Sequence, residues 1–571
     1  MESKEIRKKF LEFFEKRGHK VVPSSSLIPD DPSVLLTTAG MQQFKLYYIG
    51  KADPSKDFGA KNTASIQKSF RTSDIDEVGD DSHDTFFEML GNFSFGGYFK
   101  KEAIQYGYDF FKEMSLPIDF VTVFGGDKEV PADEESEKFW KELGVKKVEK
   151  RGREDNFWGP TGNEGPCGPT TEIYVNGVEI WNIVFNQYYQ ESNKTLKPLE
   201  QNGVDTGMGF ERLAMVLQKK KNIFETDLFA PFLELIPKEI PDRQKRIIVD
   251  HLRGSTFLLA DGLRPSNKEA GYILRRLMRR VFVYEKLYKI PTHIYDAIIH
   301  DIVHEYGEFY QELLRENNAV REEFKKEGEK FYKTLERGLK ELEKISEISS
   351  VSAFKLYETY GLPFEIIKEL GGQKAATLTR DGFDEEFKKH QEISRAGLEK
   401  KFGGHGLILD TGELKAANKE ELKKVTRLHT ATHLLNAALR KVLGQDIRQD
   451  GSDITAERTR FDFTFPRKLT PEEVKMIEEL VNSAVEKNMQ VIKEEMDYQD
   501  AIKSGALHFF KEKYPGRVNV YTVSDPKTGE IFSKELCGGP HVSHTGEIGR
   551  FKIIKEESSS AGVRRIRAVV E

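Results

Sequence analysis

Strand-like runs that follow one another without room for crossover helices constrain this chain more than any other feature. The run EIYVNGVEIWNIVFNQYY (172–189) sets Asn176-Gly177 between two apolar stretches, the mark of a two-residue hairpin. VTVFGG (121–126) and the aromatic-rich FFEMLGNFSFGGYF (86–99) read as further strands joined by tight turns. Parallel neighbours would need a crossover of roughly a dozen residues or more. The first 245 residues therefore predict an antiparallel sheet with flanking helices, the α+β class. From about Asp242 to Lys400 glycine thins out and long helical patterns take over, as in IVHEYGEFYQELLRENNAVREEFKKEGEKFYKTLERGLKELEKI. Its mixed Glu/Lys/Arg content predicts a solvated helical hairpin. FGGHGLILDTG (402–412) is a glycine-rich joint. Beyond it a third unit opens with the helix TRLHTATHLLNAALRKVL and ends in strands such as RFDFTF, VNVYTV and RRIRAVV. The expected division is 1–245, 246–400 and 401–571, since 571 residues exceed one core at roughly 150 residues per domain.

Composition narrows the function. Lys+Arg minus Asp+Glu is 88 − 94 = −6, which excludes a general nucleic-acid coat and leaves room for a local basic patch. Two cysteines, Cys167 and Cys537, form no disulfide framework, and a reducing, cytoplasmic setting is expected. MESKEIRKKFLEFFEKRGHK is an amphipathic charged helix and not a secretory signal, and no apolar run is long enough to span a membrane.

Three constellations carry chemistry. In the first, Arg71 in QKSFRTSD is followed by a polar loop and a returning aromatic strand, which could set a phosphate against a guanidinium and a base against a ring. DNFWGPTGNEGPCGPTTEIYV (155–175) crowds glycines and prolines round Trp158, as a pocket wall or an ordinary loop would. VDTGMGFERLAMVLQ (204–218) passes from strand to helix through Gly207 and Gly209, with Asp205 suited to an ammonium and Arg212 to a triphosphate. In the second, PSNKEAGYILRRLMRRV (265–281) gathers Ile273, Leu274, Leu277, Met278 and Val281 on one helical face. Arg275, Arg276, Arg279 and Arg280 fall largely on the other, as a phosphate-backbone footprint or as salt-bridged structure. In the third, His429 and His433 lie at i and i+4, and CGGPHVSHTG adds Cys537 and His541, a good tetrahedral zinc set with His544 as the competing ligand. Thr430 stands where a zinc peptidase needs its glutamate, so peptidase chemistry is disfavoured.

FRTSD…FFEMLGNFSFG and VDTGMGFERL resemble motifs 2 and 3 of the class II aminoacyl-tRNA synthetases, in the wording of the alanyl-tRNA synthetase family, and LLTTAGMQQFK (35–45) resembles that family's opening segment. The resemblance implies that Arg71 holds the ATP α-phosphate and that Arg212 packs on adenine and meets the triphosphate, with Mg²⁺ bridging phosphates. It implies that Phe86 or Phe87 covers the base, with Glu88 beside them on the ATP side. It places alanine against Asp205 and Val204, in a pocket lined by Trp158 and Asn182. The chain reads GPCGPTTEI where the family has GPCGPCSEI, and SNKEAGY where it has SNEGRGY. By the same resemblance Asn267 reads the acceptor stem of tRNA(Ala) at a G·U pair, and Glu358 in FKLYETYGLP stands at the usual aspartate. HTATHLL, RTRFDFTF and CGGPHVSHTGEIG resemble the family's editing domain, with Zn²⁺ either activating water or orienting the substrate. Such a domain answers a physical need, because a methyl-sized pocket cannot exclude glycine and discriminates poorly against serine.

The expected activity is thus ATP-dependent joining of L-alanine to tRNA(Ala), with hydrolysis of mischarged Ser- or Gly-tRNA(Ala). A free-standing deacylase would not need Arg71, Asp205 and Arg212, and an inactive RNA-binding relative should have lost one of them. Only about thirty residues separate Leu398 from His429, too few for the β-barrel that family members usually carry there. With no coiled coil either, a compact monomer is expected.

Overall fold

A computed structural model describes residues 1–29, 31, 34–160, 162–389, 407–408, 415–416, 419–445, 447–507, 517–560 and 562–571. The chain divides into two compact units, Met1–Asp384 and Glu385–Glu571. The expected 245/246 division falls inside the first unit. The expected 400/401 division and, apart from Leu407–Ile408, the glycine-rich joint lie outside the described residues.

The first unit is built on one sheet of nine strands: β1 (Lys20–Val21), β2 (Asn62–Phe70), β3 (Phe86–Phe95), β4 (Phe120–Phe124), β5 (Val148–Arg151), β6 (Phe157–Trp158), β7 (Gly165–Val175), β8 (Val178–Gln190) and β9 (Leu196–Gly209). They run in the order β1-β2-β3-β9-β8-β7-β4-β5, with β6 on β7. Every pairing from β2 to β4 is antiparallel, and only the edges β1/β2 and β4/β5 are parallel. The expected hairpin joins β7 to β8, with Val175 opposite Val178. Asn176 and Gly177 take φ of 51° and 76°, the paired left-handed conformation that a two-residue turn needs for its twist to match the strands.

All ten residues of β3 are buried. One of its faces is covered by the first helix, Ser3–Glu15, whose buried Ile6, Phe10, Phe13 and Phe14 recur at helical spacing. Phe10, Phe14 and Phe110 meet Trp181 of β8 edge-on, with ring centroids 5.6–6.3 Å apart. Beyond the sheet come helices Asp242–Ala260, Glu269–Tyr288, Thr292–Tyr306 and Gln311–Lys344. The stretch expected to fold as a hairpin, 302–345, is instead one continuous helix from Gln311 to Lys344, packed beside Thr292–Tyr306. The longer buries Leu313, Val320, Phe324, Phe331, Leu335 and Leu342, a narrow stripe on a helix whose remaining faces stay charged.

The second unit is also α+β. Short β10 (Leu407–Ile408) pairs with β11 (Lys415–Ala416). β12 (Gln449–Ile454), β13 (Thr459–Thr464), β17 (Phe551–Ser560) and β18 (Val563–Val570) form a sheet in the order β12-β13-β18-β17. β14 (Gln490–Asp497), β15 (Arg517–Ser524) and β16 (Ile531–Leu536) form another. Helices Lys419–Leu443 and Pro471–Glu486 fill the space with Leu434, Leu435, Ile477 and Val481 against Phe461, Phe463 and Ile566. The second helix starts on a reciprocal cap between Thr470 and Glu473 with proline at its first position.

One polar feature sits inside the apolar frame of the first unit. Glu88 of β3 is wholly buried, and Arg7 of the first helix meets it with two hydrogen bonds, Nε to Oε1 at 2.9 Å and Nη2 to Oε2. Tyr310 Oη donates to the same carboxylate at 2.8 Å. Removing the cation alone leaves a buried, unpaired charge. Arg7→Met should therefore cost about 3–5 kcal/mol of unfolding free energy, and Arg7→Met combined with Glu88→Gln should recover part of it. Denaturant midpoints of the three proteins measure this; a loss below about 1 kcal/mol in the single variant contradicts it.

Candidate active site and candidate metal centre

Side chains of a strand alternate between its two faces, and that parity builds the pocket of the first unit. Phe87 and Met89 of β3, Ile180, Asn182 and Val184 of β8, and Asp205, Gly207 and Gly209 of β9 share one face. The register sets Met89 opposite Gly209, Asn182 opposite Gly207 and Val184 opposite Asp205. The glycines keep the floor open: a Cβ on Gly207 would lie 2.9 Å from Met89 Sδ. Arg71, just past β2, and Trp158 of β6 stand at the sides, and Arg212 rises from the first turn of helix Phe210–Leu217. The cavity holds about 220 Å³.

Phe86, Glu88 and Val204 have the opposite parity, which removes them from this pocket. Phe86 stacks on Phe257 at 3.9 Å and 13°. Glu88 binds Arg7, and the Val204 carbonyl accepts a hydrogen bond from Tyr48 Oη at 2.6 Å. Of the two phenylalanines expected to cover a base, Phe87 is the one in the pocket, with the Arg71 guanidinium 4.9 Å from its ring centre.

Burial alone pushes the Asp205 carboxyl up to about 7. Asn182 Oδ1 is buried with no hydrogen-bond partner among the described residues. Arg212 is held by Glu179, through its carbonyl at 3.4 Å and its carboxylate at 3.5 Å. Besides Glu179 and Asp74, two buried carboxylates missed in the sequence line the same cavity: Asp84 and Glu211. Burial, then the charge of Glu211, drives Asp84 well above the usual range, while Arg253 opposes the shift. Arg253 bonds Glu211 and lies 3.6 Å from Asp84. Asp84 Oδ2 has no hydrogen-bond partner among the described residues. Two carboxylates beside one guanidinium, one oxygen unsatisfied, suit a divalent cation that also holds phosphates. The signal for Glu211 was its place before Arg212 in FERL; nothing local marked Asp84.

In the second unit His429, His433, Cys537 and His541 converge, with one ligand atom from each within 4.8 Å of all the others. Cys537 Sγ lies 3.3 Å from both His429 Nε2 and His541 Nε2. The other ring nitrogens are already engaged. His429 Nδ1 meets the Pro540 carbonyl at 3.1 Å, His541 Nδ1 meets Thr430 Oγ1 at 3.2 Å, and His433 Nδ1 is 3.4 Å from Glu535 Oε2. Burial holds His429 down at about 3 and His433 at about 4, with His541 also well below the usual value. Neutral, oriented imidazoles beside a thiol fit zinc in donor type and spacing. His544 stands outside this group. Glu535, fixed by Asn436 at 3.0 Å and Ser533 at 3.1 Å, is the neighbour that the sequence did not reveal.

Of the two readings open for the arginine flank of helix Glu269–Tyr288, the side chains follow the salt-bridged one. Arg276 and Arg280 are buried. Arg276 bonds Asp76 and Glu365, and Arg280 donates to the Ile75 carbonyl at 3.0 Å. Arg275 and Arg279 share Glu327, at 3.2 and 2.9 Å. Asn267 is exposed, its Oδ1 accepting from Arg275, and Glu358 is exposed on helix Ser350–Tyr360.

A family model described as tRNA synthetases class II (A) matches residues 5–445, and one described as the threonyl and alanyl tRNA synthetase second additional domain matches 518–567. An alanine–tRNA ligase of Borrelia hermsii is 43% identical across the whole of both chains. One of Treponema pallidum is 41% identical over 99% of this chain and 98% of its own. One of Dehalococcoides mccartyi is 36% identical over 99% of this chain and 80% of its own.

Proposed function

The chain belongs to the alanine–tRNA ligase family of class II synthetases, and from that premise we propose how its two units divide the work. Residues 1–245 activate alanine, 246–400 address the acceptor stem, and 401–571 hydrolyse mischarged tRNA. The observation that carries the first assignment is the single open sheet face that gathers Arg71, Phe87, Trp158, Asn182, Asp205 and Arg212. Among the described residues no helix is long and apolar enough to cross a membrane.

Asp205 would bind the alanine ammonium, and Asn182 and Trp158 would border the methyl side. Phe87 would cover one face of adenine and Arg212 the other, with Arg71 on the α-phosphate. Asp84 and Glu211 would hold Mg²⁺, which neutralises phosphate charge when bound. The alanine carboxylate oxygen then bonds to the α-phosphorus, and the bond to the bridging oxygen breaks, releasing pyrophosphate. Negative charge grows on the phosphoryl oxygens, so Arg71 stabilises the transition state more than the ground state. A tRNA ribose hydroxyl then attacks the alanyl carbonyl and AMP leaves. Asn267 and Glu358, both exposed, would read the acceptor stem.

In the second unit His429, His433, Cys537 and His541 would hold Zn²⁺, which supplies polarisation or orientation of the substrate ester. The chain's own contribution is to fix the three rings through Pro540, Thr430 and Glu535 and to keep them unprotonated.

Alanine-dependent ATP–pyrophosphate exchange is the test of the whole reading; exchange with another amino acid and none with alanine refutes it. Within it, the apparent KM for alanine should fall as pH rises, by up to about tenfold per unit below pH 7, because the ammonium needs the ionised Asp205. It should level off above about pH 8. Asp205→Asn should raise that KM about 10- to 100-fold and abolish the pH limb; a limb that persists in the variant belongs to another group. Cys537→Ala should lose its metal by elemental analysis and its hydrolysis of Ser-tRNA(Ala) while keeping alanine activation. Stoichiometric zinc in that variant would mean a different fourth ligand. Asn267→Ala should charge G·U and G·C acceptor stems alike, and a preserved preference removes Asn267 from the reading.

A further inference from the structure

The segment between β2 and β3 supplies Arg71, Asp74, Ser82, His83 and Asp84 to the pocket, so nucleotide geometry depends on where this loop sits. It is strongly acidic, and it is gripped from behind by arginines of the helical region. Arg276 Nη2 donates to Asp76 Oδ1 at 2.5 Å, and Arg380 approaches both Asp76 oxygens at 3.3 Å. Both guanidiniums also bond Glu365, Arg380 at 2.7 Å. Arg280 holds the Ile75 carbonyl, and Arg246 holds the Asp80 carbonyl at 2.7 Å and the Asp81 carboxylate at 2.9 Å.

The charges explain the grip. Arg276 is buried and Arg380 half-buried, yet the helices offer this pair one buried carboxylate, Glu365. One carboxylate against two guanidiniums leaves a positive surplus in a poorly solvated place, which is costly. Asp76 arrives from the loop and balances it. Docking the loop therefore adds a second close carboxylate to the two arginines, beside the exposed Asp384 that lies 4.0 Å from Arg380.

We propose that Arg276, Arg380 and Asp76 form a latch that positions the 73–84 loop against ATP, and that Arg276 is a positioning residue for adenylation and not a tRNA phosphate contact. The inference rests on reading the pocket as the ATP site. Loss of the latch lets the loop leave the nucleotide side while the alanine end, built on β8 and β9, stays formed.

The test uses the full chain with Asp76→Ala, Asp76→Glu and Arg276→Met. Asp76 is 40% exposed, and its removal leaves Glu365 with both arginines, so the fold should survive with a lowered melting temperature that reports the uncompensated charge. Asp76→Ala should raise the KM for ATP in exchange about fivefold, the size of a partly exposed charge pair, with the KM for alanine changed by less than about twofold. Asp76→Glu should restore most of the loss. Calorimetric titration with ATP alone should show the same weakening, so the latch is read even if alanine-dependent exchange is absent and the functional reading fails. Arg276→Met should leave the salt dependence of tRNA binding unchanged. An unaltered ATP affinity in Asp76→Ala, or equal losses for ATP and alanine, overturns the latch. A salt slope reduced by about one phosphate contact in Arg276→Met returns that arginine to the tRNA.

Discussion

A carboxylate sealed inside the central strand of the sheet sets the terms for the first unit. Glu88 cannot reach water, so Arg7 must come to it, and that requirement fixes the first helix on the face opposite the pocket. The Glu88 amide points at Glu211, at 3.2 Å, and Glu211 in turn takes Arg253. Counted together, Arg7, Arg253 and Arg212 face Glu88, Glu211, Asp84 and Asp250, three positive charges against four negative. The imbalance is discharged at Asp84, on the pocket side, where protonation in the free protein or a bound divalent cation can satisfy it. The same buried network that anchors the helices thus ends in a carboxylate on the pocket side, at the place proposed for the metal. Structural burial and the site's electrostatics are one arrangement.

Much of the fold could be read along the chain because its signals are local. Asn176-Gly177 announced the hairpin, the glycines after Asp205 announced the passage from strand to helix, and the four-residue spacing of His429 and His433 put both on one helical side. Where the reading failed, the reason was sometimes available and unused. Phe86, Glu88 and Val204 have the wrong parity to share a face with Phe87 and Asp205, and strand alternation alone could have separated them. The arginine row is a different case. Helical periodicity separated it correctly from the apolar face, but whether such a row meets solvent or neighbours depends on residues distant in sequence. Asp76, Glu327, Ile75 and Glu365 supply those neighbours, and no local pattern names them.

The two units treat histidine and carboxylate burial in parallel ways. In the first, burial raises Asp205 to about 7, near enough to neutrality that the ammonium proposed to bind there would pull it into the ionised form. In the second, burial lowers His429 and His433 until they are neutral imidazoles, the form a metal requires. Neither site needs a residue of unusual chemistry. Each uses desolvation to hold a common side chain in the protonation state that its partner will either change or exploit.

Selectivity shows why one unit would not suffice. The end of the pocket proposed for alanine is bounded by Met89, Val184 and Gly207, whose Cβ would lie 2.9 Å from Met89 Sδ. That boundary can reject a larger side chain sterically, but glycine is smaller than alanine and fits any space alanine fits. Serine adds one hydroxyl, and under the proposed reading Asn182 Oδ1, a buried amide oxygen without a partner among the described residues, would tolerate a hydroxyl instead of penalising it. Filling that acceptor with an apolar neighbour would sharpen rejection of serine only by removing a polar group beside the proposed ammonium site at Asp205. A site constrained in this way gains more from hydrolysis elsewhere than from further refinement of its own walls.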